Sequence, residues 1–318
     1  MKIVTFNEIK ALGITPLQCF AWVEEMLKNK SKSVLPPKIS LHLPDDAFCN
    51  VMPCVIDMEQ HRKIGGVKIV NRYLDREPSL DSRLLLINMD NGEFLALMDA
   101  NWITAMRTGA VAVHSINLLA KKDFETVAIM GLGNTARATL LILAEKYKDK
   151  DLNIKLLKYK DQEQLFVERF SEYKNLHFSY VDNVELLVKK SDVVISCVTY
   201  TENDFCSNDC FEEGVLVVPV HTRGFTNCDL FFDKVYADDR GHVCHFKNFD
   251  KFNFFAEVSD VVNKSAPGRE NDRERILAYN IGLSIHDINY AAHIYEMIGK
   301  NENLLNIEMN TPKEKFWI

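Results

Sequence analysis

The sequence lacks a long apolar run, an excess of basic residues and any internal repeat. No apolar stretch reaches the roughly 18 residues that a membrane-spanning helix requires, so no membrane partner is expected. The formal net charge of −7 comes from mixed acidic and basic residues, which argues against the basic surface of a nucleic-acid-binding protein. The N-terminal segment has no apolar core followed by small residues, unlike a secretion signal. These absences favour a cytoplasmic enzyme.

The eight cysteines stand at irregular spacings, and several lie in apolar runs, as Cys54 and Cys197 do. In a chain of this length the pattern is typical of reduced thiols rather than of a disulfide framework. Cysteines and histidines also cluster between residues 206 and 245, but their spacing matches no common structural zinc site. We therefore expect no bound metal.

The pattern of predicted elements changes near residue 115. On the N-terminal side, short apolar segments predict strands, and Asn91-Gly92 between two of them is typical of an antiparallel hairpin. These strands are predicted at Gly66–Val70, Arg83–Asn88 and Phe94–Met98, and a helix follows from about Trp102 to Ala120. This part is predicted to be an α+β domain with an antiparallel sheet.

On the C-terminal side, strands and helices alternate, as they do in a parallel, doubly wound sheet. The strands are predicted at Thr126–Met130, Ile154–Leu157, Val193–Cys197, Val215–Val220 and from Lys234 onwards, and a long final helix at about Asn280–Ile298. The predicted fold class is therefore α/β, with a Rossmann-type doubly wound parallel sheet beside the α+β domain. A chain of 318 residues is long enough for both.

The segment Thr126–Leu143 is the most informative part of the chain. An apolar strand leads into a glycine turn, and apolar residues then recur at helical spacing, which is the pattern of a dinucleotide-binding site. Gly131 permits the turn, Gly133 lets the backbone approach a pyrophosphate, and the small Ala136 lets the helix lie close to the strand. The predicted cofactor-binding residues here are Gly131, Gly133, Asn134, Thr135 and Ala136. The alternative is an ordinary strand-to-helix turn that needs small residues for packing.

Several motifs, in this order along the chain, resemble the ornithine cyclodeaminase/μ-crystallin family. They are Gly66-Val67-Lys68, Gly92–Asp99, Thr104–Ala110, Gly131–Ala136, Pro267-Gly268-Arg269 and Gly282–Asp287. The resemblance implies a Rossmann domain at 116–289 and a discontinuous domain at 1–115 with 290–318 that binds substrate and forms a homodimer. It also implies a nicotinamide cofactor. Members of the family include cyclodeaminases, ketimine reductases, alanine dehydrogenase-like enzymes and opine-type dehydrogenases.

Lys68 is the first candidate catalytic residue, because it lies inside an apolar strand pattern. A buried ammonium is costly unless it is paired, and a lysine with a lowered pKa could protonate a nitrogen or hold a carboxylate. Alternation along the strand equally permits a lysine that faces solvent. The resemblance places the catalytic lysine of the family at this motif.

Arg107 is the second candidate, because a guanidinium binds a carboxylate through a two-pronged fork. A solvated helix arginine is the alternative. The resemblance implies that Arg107 binds the substrate carboxylate and that the adjacent Thr108 contacts a cofactor phosphate. It also aligns Lys38 with an arginine that touches substrate in relatives; lysine keeps the charge but loses the fork.

Residues 218–230 depart from the family pattern. Cyclodeaminases carry an aspartate here that takes a proton from the substrate amine, whereas an alignment anchored on Cys228-Asp229-Leu230 places Arg223 at that position. An arginine cannot act as a base at neutral pH. The departure favours a reductase, in which Arg223 is predicted to bind a second carboxylate of the substrate. Alternatively, the loop aligns differently and Arg223 is exposed.

The choice of cofactor is predicted from the end of the second strand of the Rossmann domain. An acidic residue there favours NAD, whereas basic residues favour the 2′-phosphate of NADP. Lys158 and Lys160 precede Asp161, which favours NADP while leaving NAD open. The resemblance adds Thr199, which follows the strand at 193–197, and Asp287, which lies near the nicotinamide in relatives.

The sequence thus leads to three hypotheses about function. The first is an NAD(P)H-dependent oxidoreductase that reduces an α-imino acid (a ketimine) to an amino acid, or runs the reverse, as an opine-type dehydrogenase does. The second is an ornithine cyclodeaminase, which forms proline and ammonia. The third is a non-catalytic, μ-crystallin-like protein that binds NADPH or another ligand. Lys68 and Arg107 argue against the third.

Overall fold

The computed structural model describes residues 1–58, 62–198, 205–220, 228–299, 304–309 and 312–316. The chain forms two compact units. The first consists of Met1–Ile14, Lys32–Thr104 and Ser284–Ile318, and the second of Thr15–Ser31 and Ala105–Leu283. Strands and helices are numbered below in chain order.

The first unit is built on a mixed sheet with the strand order β1-β6-β5-β4-β3-β2, which has six strands in the described part of the chain. Neighbouring strands are antiparallel except β1 and β6. The strands are β1 (Lys2–Val4), β2 (Ile39–His42), β3 (Phe48–Asp57), β4 (Lys63–Arg72), β5 (Leu80–Asn88) and β6 (Glu93–Asp99). The helices are α1 (Phe6–Ala11) and α9 (Ser284–Ile298). The three predicted strands and the hairpin are confirmed.

Helix α9 packs against β3, β4 and β5 and covers one face of this sheet. The cross-strand register places four side chains in one row on the buried face, namely Met52, Lys68, Leu84 and Met98. All four are buried, so Lys68 faces inward among apolar neighbours. The sheet therefore decides between the two orientations that strand alternation left open.

The second unit is built on a parallel sheet with the order β13-β12-β14-β11-β10-β7-β8-β9, eight strands within the described ranges. Its strands are β7 (Thr126–Met130), β8 (Leu152–Leu157), β9 (Leu176–Val181), β10 (Val193–Ser196), β11 (Leu216–Pro219), β12 (Lys234–Ala237), β13 (Phe255–Glu257) and β14 (Ile276–Tyr279). Its helices are α2 (Pro16–Asn29), α3 (Asn101–Leu119), α4 (Asn134–Lys146), α5 (Gln162–Glu168), α6 (Val184–Val188), α7 (Arg240–Val243) and α8 (Val258–Val262), of which α3 begins in the first unit.

Strand β7 lies inside this sheet, between β10 and β8, and the chain continues to β8 and β9 on one side and then to β10 and β11 on the other. The strand order reverses between β7 and β10, and such a reversal opens a crevice at the carboxyl ends of the strands. The α/β, doubly wound prediction is confirmed. Strand β14 had no sequence prediction, because its four apolar residues alone do not distinguish a strand from a buried helical segment.

The boundaries of the two units differ from the predicted domain limits. Helix α2 packs against α4 and α8, and its segment belongs to the second unit, as does the helix α3 from residue 105 onwards. Gly109 on α3 lies so close to α4 that a β-carbon there would be 2.6 Å from the Thr139 nitrogen. Helix packing of this kind depends on long-range contacts, which a change of sequence pattern near residue 115 does not reveal.

Candidate functional site

The glycine turn of the second unit joins β7 to α4 in the predicted manner. Gly131 has φ +81°, and a β-carbon there would lie 2.6 Å from the backbone carbon of Cys197, at the end of β10. Gly133 is the N-cap of α4, and among the described residues no atom lies within 4 Å of its would-be β-carbon. The N-cap residue of α4 makes no side-chain capping hydrogen bond in the structure. The N–H groups in the first turn of such a helix can bind an anion.

The rest of the turn also fits a dinucleotide. Asn134 is exposed and Thr135 half-buried, whereas Ala136 is buried. The small residue allows close packing of helix and strand, while the exposed positions leave the helix N-terminus accessible. The residues present thus suit the pyrophosphate that the turn predicts.

The predicted cofactor-selecting lysines follow β8, directly beside β7 in the sheet. The Lys158 ammonium lies 2.8 Å from the Asp182 carboxylate, in a pair whose side chains are 47% and 77% exposed. This hydrogen bond raises the pKa of Lys158. The Lys160 ammonium lies over the ring of Tyr159, 5.1 Å from its centre. Both lysines therefore stand at a surface beside the glycine turn.

In the first unit, Lys68 and Asp287 form a buried ion pair. The Lys68 Nζ donates a hydrogen bond of 2.8 Å to Asp287 Oδ1, and both side chains are 0% exposed. Asp287 stands in the first turn of α9, where the helix dipole stabilises a carboxylate. The hydroxyl of Ser284 donates to the Pro53 carbonyl at 3.0 Å and ties the start of α9 to β3. Sequence analysis placed Asp287 near the cofactor but did not predict this pairing.

Cys54 is a further buried group near this ion pair, and sequence analysis had assigned it no role. It is opposite Gly66 in the register of β3 and β4. Burial raises the pKa of its thiol to about 12, an effect that the Asp287 charge reinforces and that Ser284 and Lys68 oppose. The thiol therefore stays protonated at neutral pH and is not a nucleophile there.

In the second unit, Arg107 is 6% exposed on α3, so it is not the solvated arginine of the alternative interpretation. Its guanidinium lies against the backbone of Gly282, which has φ +101°. A β-carbon at residue 282 would lie only 2.5 Å from Arg107 Nη1. The glycine is therefore needed both for its backbone conformation and for the space that the guanidinium occupies. The adjacent Thr108 is half-buried.

The remaining predicted residues are located as follows. Lys38 is half-buried just before β2, in the first unit. Thr199 and Arg223 lie outside the described residues, so their roles stay predictions. Within the described ranges, no three histidine, cysteine or acidic side chains are grouped as metal ligands. Nor does any described helix have the length and apolar character to span a membrane.

Comparison with known proteins identifies relatives over most of the chain. The sequence model described as the ornithine cyclodeaminase/mu-crystallin family matches residues 2–302. The N-((2S)-2-amino-2-carboxyethyl)-L-glutamate dehydrogenase of Staphylococcus aureus is 27% identical over 266 residues, which cover 76% of this chain and 78% of that protein. A Delta(1)-pyrroline-2-carboxylate reductase of Bacillus cereus is 22% identical over 316 residues, covering 93% of both chains.

Two solved structures share the fold over nearly the whole chain. The Delta(1)-pyrroline-2-carboxylate reductase of Thermococcus litoralis, in complex with NADH and L-proline, has a TM-score of 0.84 at 22% identity and covers 96% of this chain and 100% of that one. An archaeal alanine dehydrogenase dimer with bound NAD also has a TM-score of 0.84 at 22% identity, with 98% and 99% coverage.

Proposed function

Because the chain belongs to the ornithine cyclodeaminase/mu-crystallin family, we propose that it is an NAD(P)H-dependent oxidoreductase acting on C–N bonds. It reduces an α-imino acid to an amino acid or catalyses the reverse. The observation that carries the proposal is the fully buried Lys68–Asp287 pair, in a chain whose second unit has a dinucleotide-binding turn. A buried ion pair is poor evidence of a purely stabilising role, since apolar residues of similar volume are often as stable.

In this proposal Arg107 binds the substrate carboxylate. Its guanidinium lies against the backbone of Gly282, which orients it before the substrate binds. A planar, oriented fork suits a carboxylate better than a mobile lysine does, because two parallel hydrogen bonds form at little entropic cost. This interaction selects α-imino and α-amino acids over simple imines.

Lys68 holds a proton for the imine nitrogen. Pairing with Asp287 favours the charged ammonium, which offsets the burial that would otherwise neutralise it. Protonation or polarisation of the C=N nitrogen makes the neighbouring carbon electrophilic, and the reduced nicotinamide, when bound, supplies the hydride that this carbon accepts. Asp287 then acts by orienting the ammonium and by compensating its charge.

We propose the substrate class from one departure from the family pattern. In the alignment anchored on Cys228-Asp229-Leu230, Arg223 stands where cyclodeaminases carry an aspartate, which argues against ornithine as substrate. We propose instead that Arg223 binds a second carboxylate, as substrates of opine type carry. The glutamate-derived substrate named for the Staphylococcus aureus relative is of this kind.

For the cofactor, we propose a preference for NADP(H). Within the described residues Lys158 pairs with Asp182, and a solvent-exposed pair of this kind contributes little. A phosphate dianion can therefore recruit Lys158 from Asp182. The variant Lys158→Glu should shift the ratio of NADPH to NADH efficiency toward NADH by about tenfold or more. An unchanged ratio would mean that Lys158 does not select the cofactor.

We also propose a homodimer formed through the face of the first unit's sheet that lies opposite α9. Ile39, Val51 and Ile69 are register partners on that face, opposite Lys68, and Ile39 and Ile69 are exposed. Leu97 on β6 extends the exposed apolar face. Apolar surface of this kind marks an interface, and a relative of the same fold is described as a dimer. Light scattering after gel filtration should give twice the chain mass for the wild type and the monomer mass for Ile69→Asp.

The test of the reaction is the absorbance of the cofactor at its near-ultraviolet band. Purified protein is mixed with NADH or NADPH and with Delta(1)-pyrroline-2-carboxylate or with pyruvate plus an amine, and ornithine is assayed separately for proline. Loss of absorbance with an imine is the expected result. Proline formed from ornithine without a net change in cofactor would replace the proposal with a cyclodeaminase. Tight cofactor binding without any turnover would favour a binding protein.

A further inference from the structure

The segment 280–282 follows β14 in the second unit and carries the glycine against which Arg107 lies. We infer that Asp238, which follows β12, is a positioning residue that holds this segment and thereby the guanidinium of Arg107. The inference rests on the proposed role of Arg107. The family motifs that sequence analysis identified do not include Asp238.

A short hydrogen bond links Asp238 to the segment. The N–H of Gly282 donates to Asp238 Oδ2 at 2.5 Å, and Asp238 is 1% exposed. The Asp238 N–H in turn donates to the Tyr279 carbonyl at 3.0 Å, which continues the pairing of β12 with β14. Hydrogen bonds to a buried carboxylate are about twice as strong as those between neutral groups. The Asp238 carboxylate, at the end of β12, therefore fixes the position of the Gly282 peptide.

A second hydrogen bond, at Asn280, connects the segment to α3, the helix that carries Arg107. The Ser115 hydroxyl donates to Asn280 Oδ1 at 3.0 Å, and Asn280 Nδ2 donates to the Ala278 carbonyl at 3.0 Å. Ser115 stands eight residues after Arg107 on α3, about two helical turns, so both lie on the same face. The segment 280–282 thus runs along α3, with Asn280 fixed to Ser115 and Gly282 placed against Arg107.

The charge of Asp238 is maintained although the residue is buried. Burial opposes its ionisation, but the nearby His242 imidazole, the Gly282 N–H and the Lys30 ammonium outweigh it, so the pKa of Asp238 lies below its usual value. His242 Nδ1 lies 3.6 Å from Asp238 Oδ1, which is an electrostatic contact rather than a hydrogen bond. Lys30 Nζ donates to the Asp238 carbonyl at 2.8 Å. The carboxylate therefore stays ionised and accepts the hydrogen bond from the Gly282 N–H.

Removal of this carboxylate has a specific consequence for Arg107. Without it, the Gly282 N–H loses its acceptor, and the Gly282 backbone that orients the guanidinium can shift. An anchor that is misplaced weakens substrate binding, whereas the glycine turn and the Lys68–Asp287 pair keep their own contacts. The expected effect is a rise in KM for the imino acid, with little change in kcat and in cofactor affinity.

The test compares Asp238→Ala, Asp238→Asn and the neighbouring control Asp239→Ala. Asp239 instead binds Lys30 at 2.7 Å and caps α7 through the Gly241 N–H. For Asp238→Ala, KM for Delta(1)-pyrroline-2-carboxylate should rise about tenfold or more, with kcat and the Kd of NADPH changed less than about threefold. Asp238→Asn, which keeps an acceptor oxygen, should recover most of the KM loss. Asp239→Ala should leave KM within about twofold.

Two results would overturn the inference: an unchanged KM in Asp238→Ala, or a loss of cofactor affinity and kcat as large as the change in KM. Gly282→Ala gives a second route if Asp238→Ala does not fold, because its β-carbon displaces the guanidinium directly. It should raise KM in the same way, and an unchanged KM would contradict the inference. Crystal structures of the wild type and Asp238→Ala report the Arg107 position without any turnover, and an unmoved guanidinium in Asp238→Ala would contradict the inference. A failed reduction assay of the wild type, together with a displaced guanidinium in Asp238→Ala, would therefore refute the proposed function alone.

Discussion

The Lys68 ammonium and the Asp287 carboxylate lie 2.8 Å apart with no exposure of either side chain to solvent. They are separated by 219 positions in the sequence, and only the packing of α9 on β4 brings them together. Both the stability of the fold and the supply of a proton to the substrate depend on these two charges. Mutation can separate the effect of the pair on stability from its effect on turnover.

Removing one member of the pair should destabilise the fold. Lys68→Met or Asp287→Leu alone leaves an uncompensated buried charge and should lower the free energy of unfolding by about 3–5 kcal/mol. The double variant should regain most of this stability yet remain inactive, because no ammonium is left for the imine. Urea unfolding and turnover of the same preparations measure the two effects. A double variant with more than about a third of wild-type turnover would disprove the catalytic role of Lys68.

Replacing Arg107 by lysine should separate the effect of its positive charge from the effect of its two-pronged contact with the substrate carboxylate. Lysine keeps the positive charge but makes no two-pronged contact, so we expect KM for the imino acid to rise about 10- to 100-fold. Arg273→Lys, at an arginine with an 81% exposed side chain in the same unit, is the matched control and should behave as the wild type. If both variants retain the wild-type KM, the substrate carboxylate does not bind at Arg107.

The two glycines of the turn should respond differently to a larger side chain. Gly133→Val points into open space, so the melting temperature should stay nearly constant while the affinity for NADPH falls about tenfold or more. Gly131→Val collides with the backbone at the end of β10 and should lower the melting temperature as well. Thermal unfolding and fluorescence titration with NADPH distinguish the two. Undiminished affinity in Gly133→Val would place the cofactor elsewhere.

His114 should make the stability depend on pH. It is buried on α3 with its ring stacked on Phe20 at 5.1 Å, and burial lowers the pKa of its imidazole to about 4. The unfolded chain, with a pKa near 6.5, binds this proton more readily, so the stability contributed by neutral His114 is present above about pH 6.5 and is lost as the pH falls toward 4.

His114→Gln removes this titration and should flatten the dependence. Between pH 6.5 and 4.5 the wild type should lose about 1–3 kcal/mol of unfolding free energy more than the variant does. Urea unfolding at several pH values measures the difference, and His42→Gln, at an exposed histidine, is the control. Parallel pH profiles for the wild type and His114→Gln would contradict the assignment.

The glycine turn was predictable because its signals are local. Thr126–Met130 is an apolar strand by composition, and Gly131 and Gly133 stand at the spacing that a strand-to-helix turn around an anion requires. The strand bounds match the prediction residue for residue. The roles of Thr199 and Arg223 stay predictions, because both lie outside the described residues.

Taken by itself, the sequence determined the fold class and the turn for the dinucleotide, since periodicity and glycine spacing act over a few residues, and its resemblance to the family pointed to Lys68 and Arg107 as candidate residues. Only the tertiary structure decided that Lys68 faces inward and pairs with Asp287, and that Arg107 rests on Gly282. These contacts join positions more than 170 residues apart, and the free energy that selects them comes from burial, which no local pattern records.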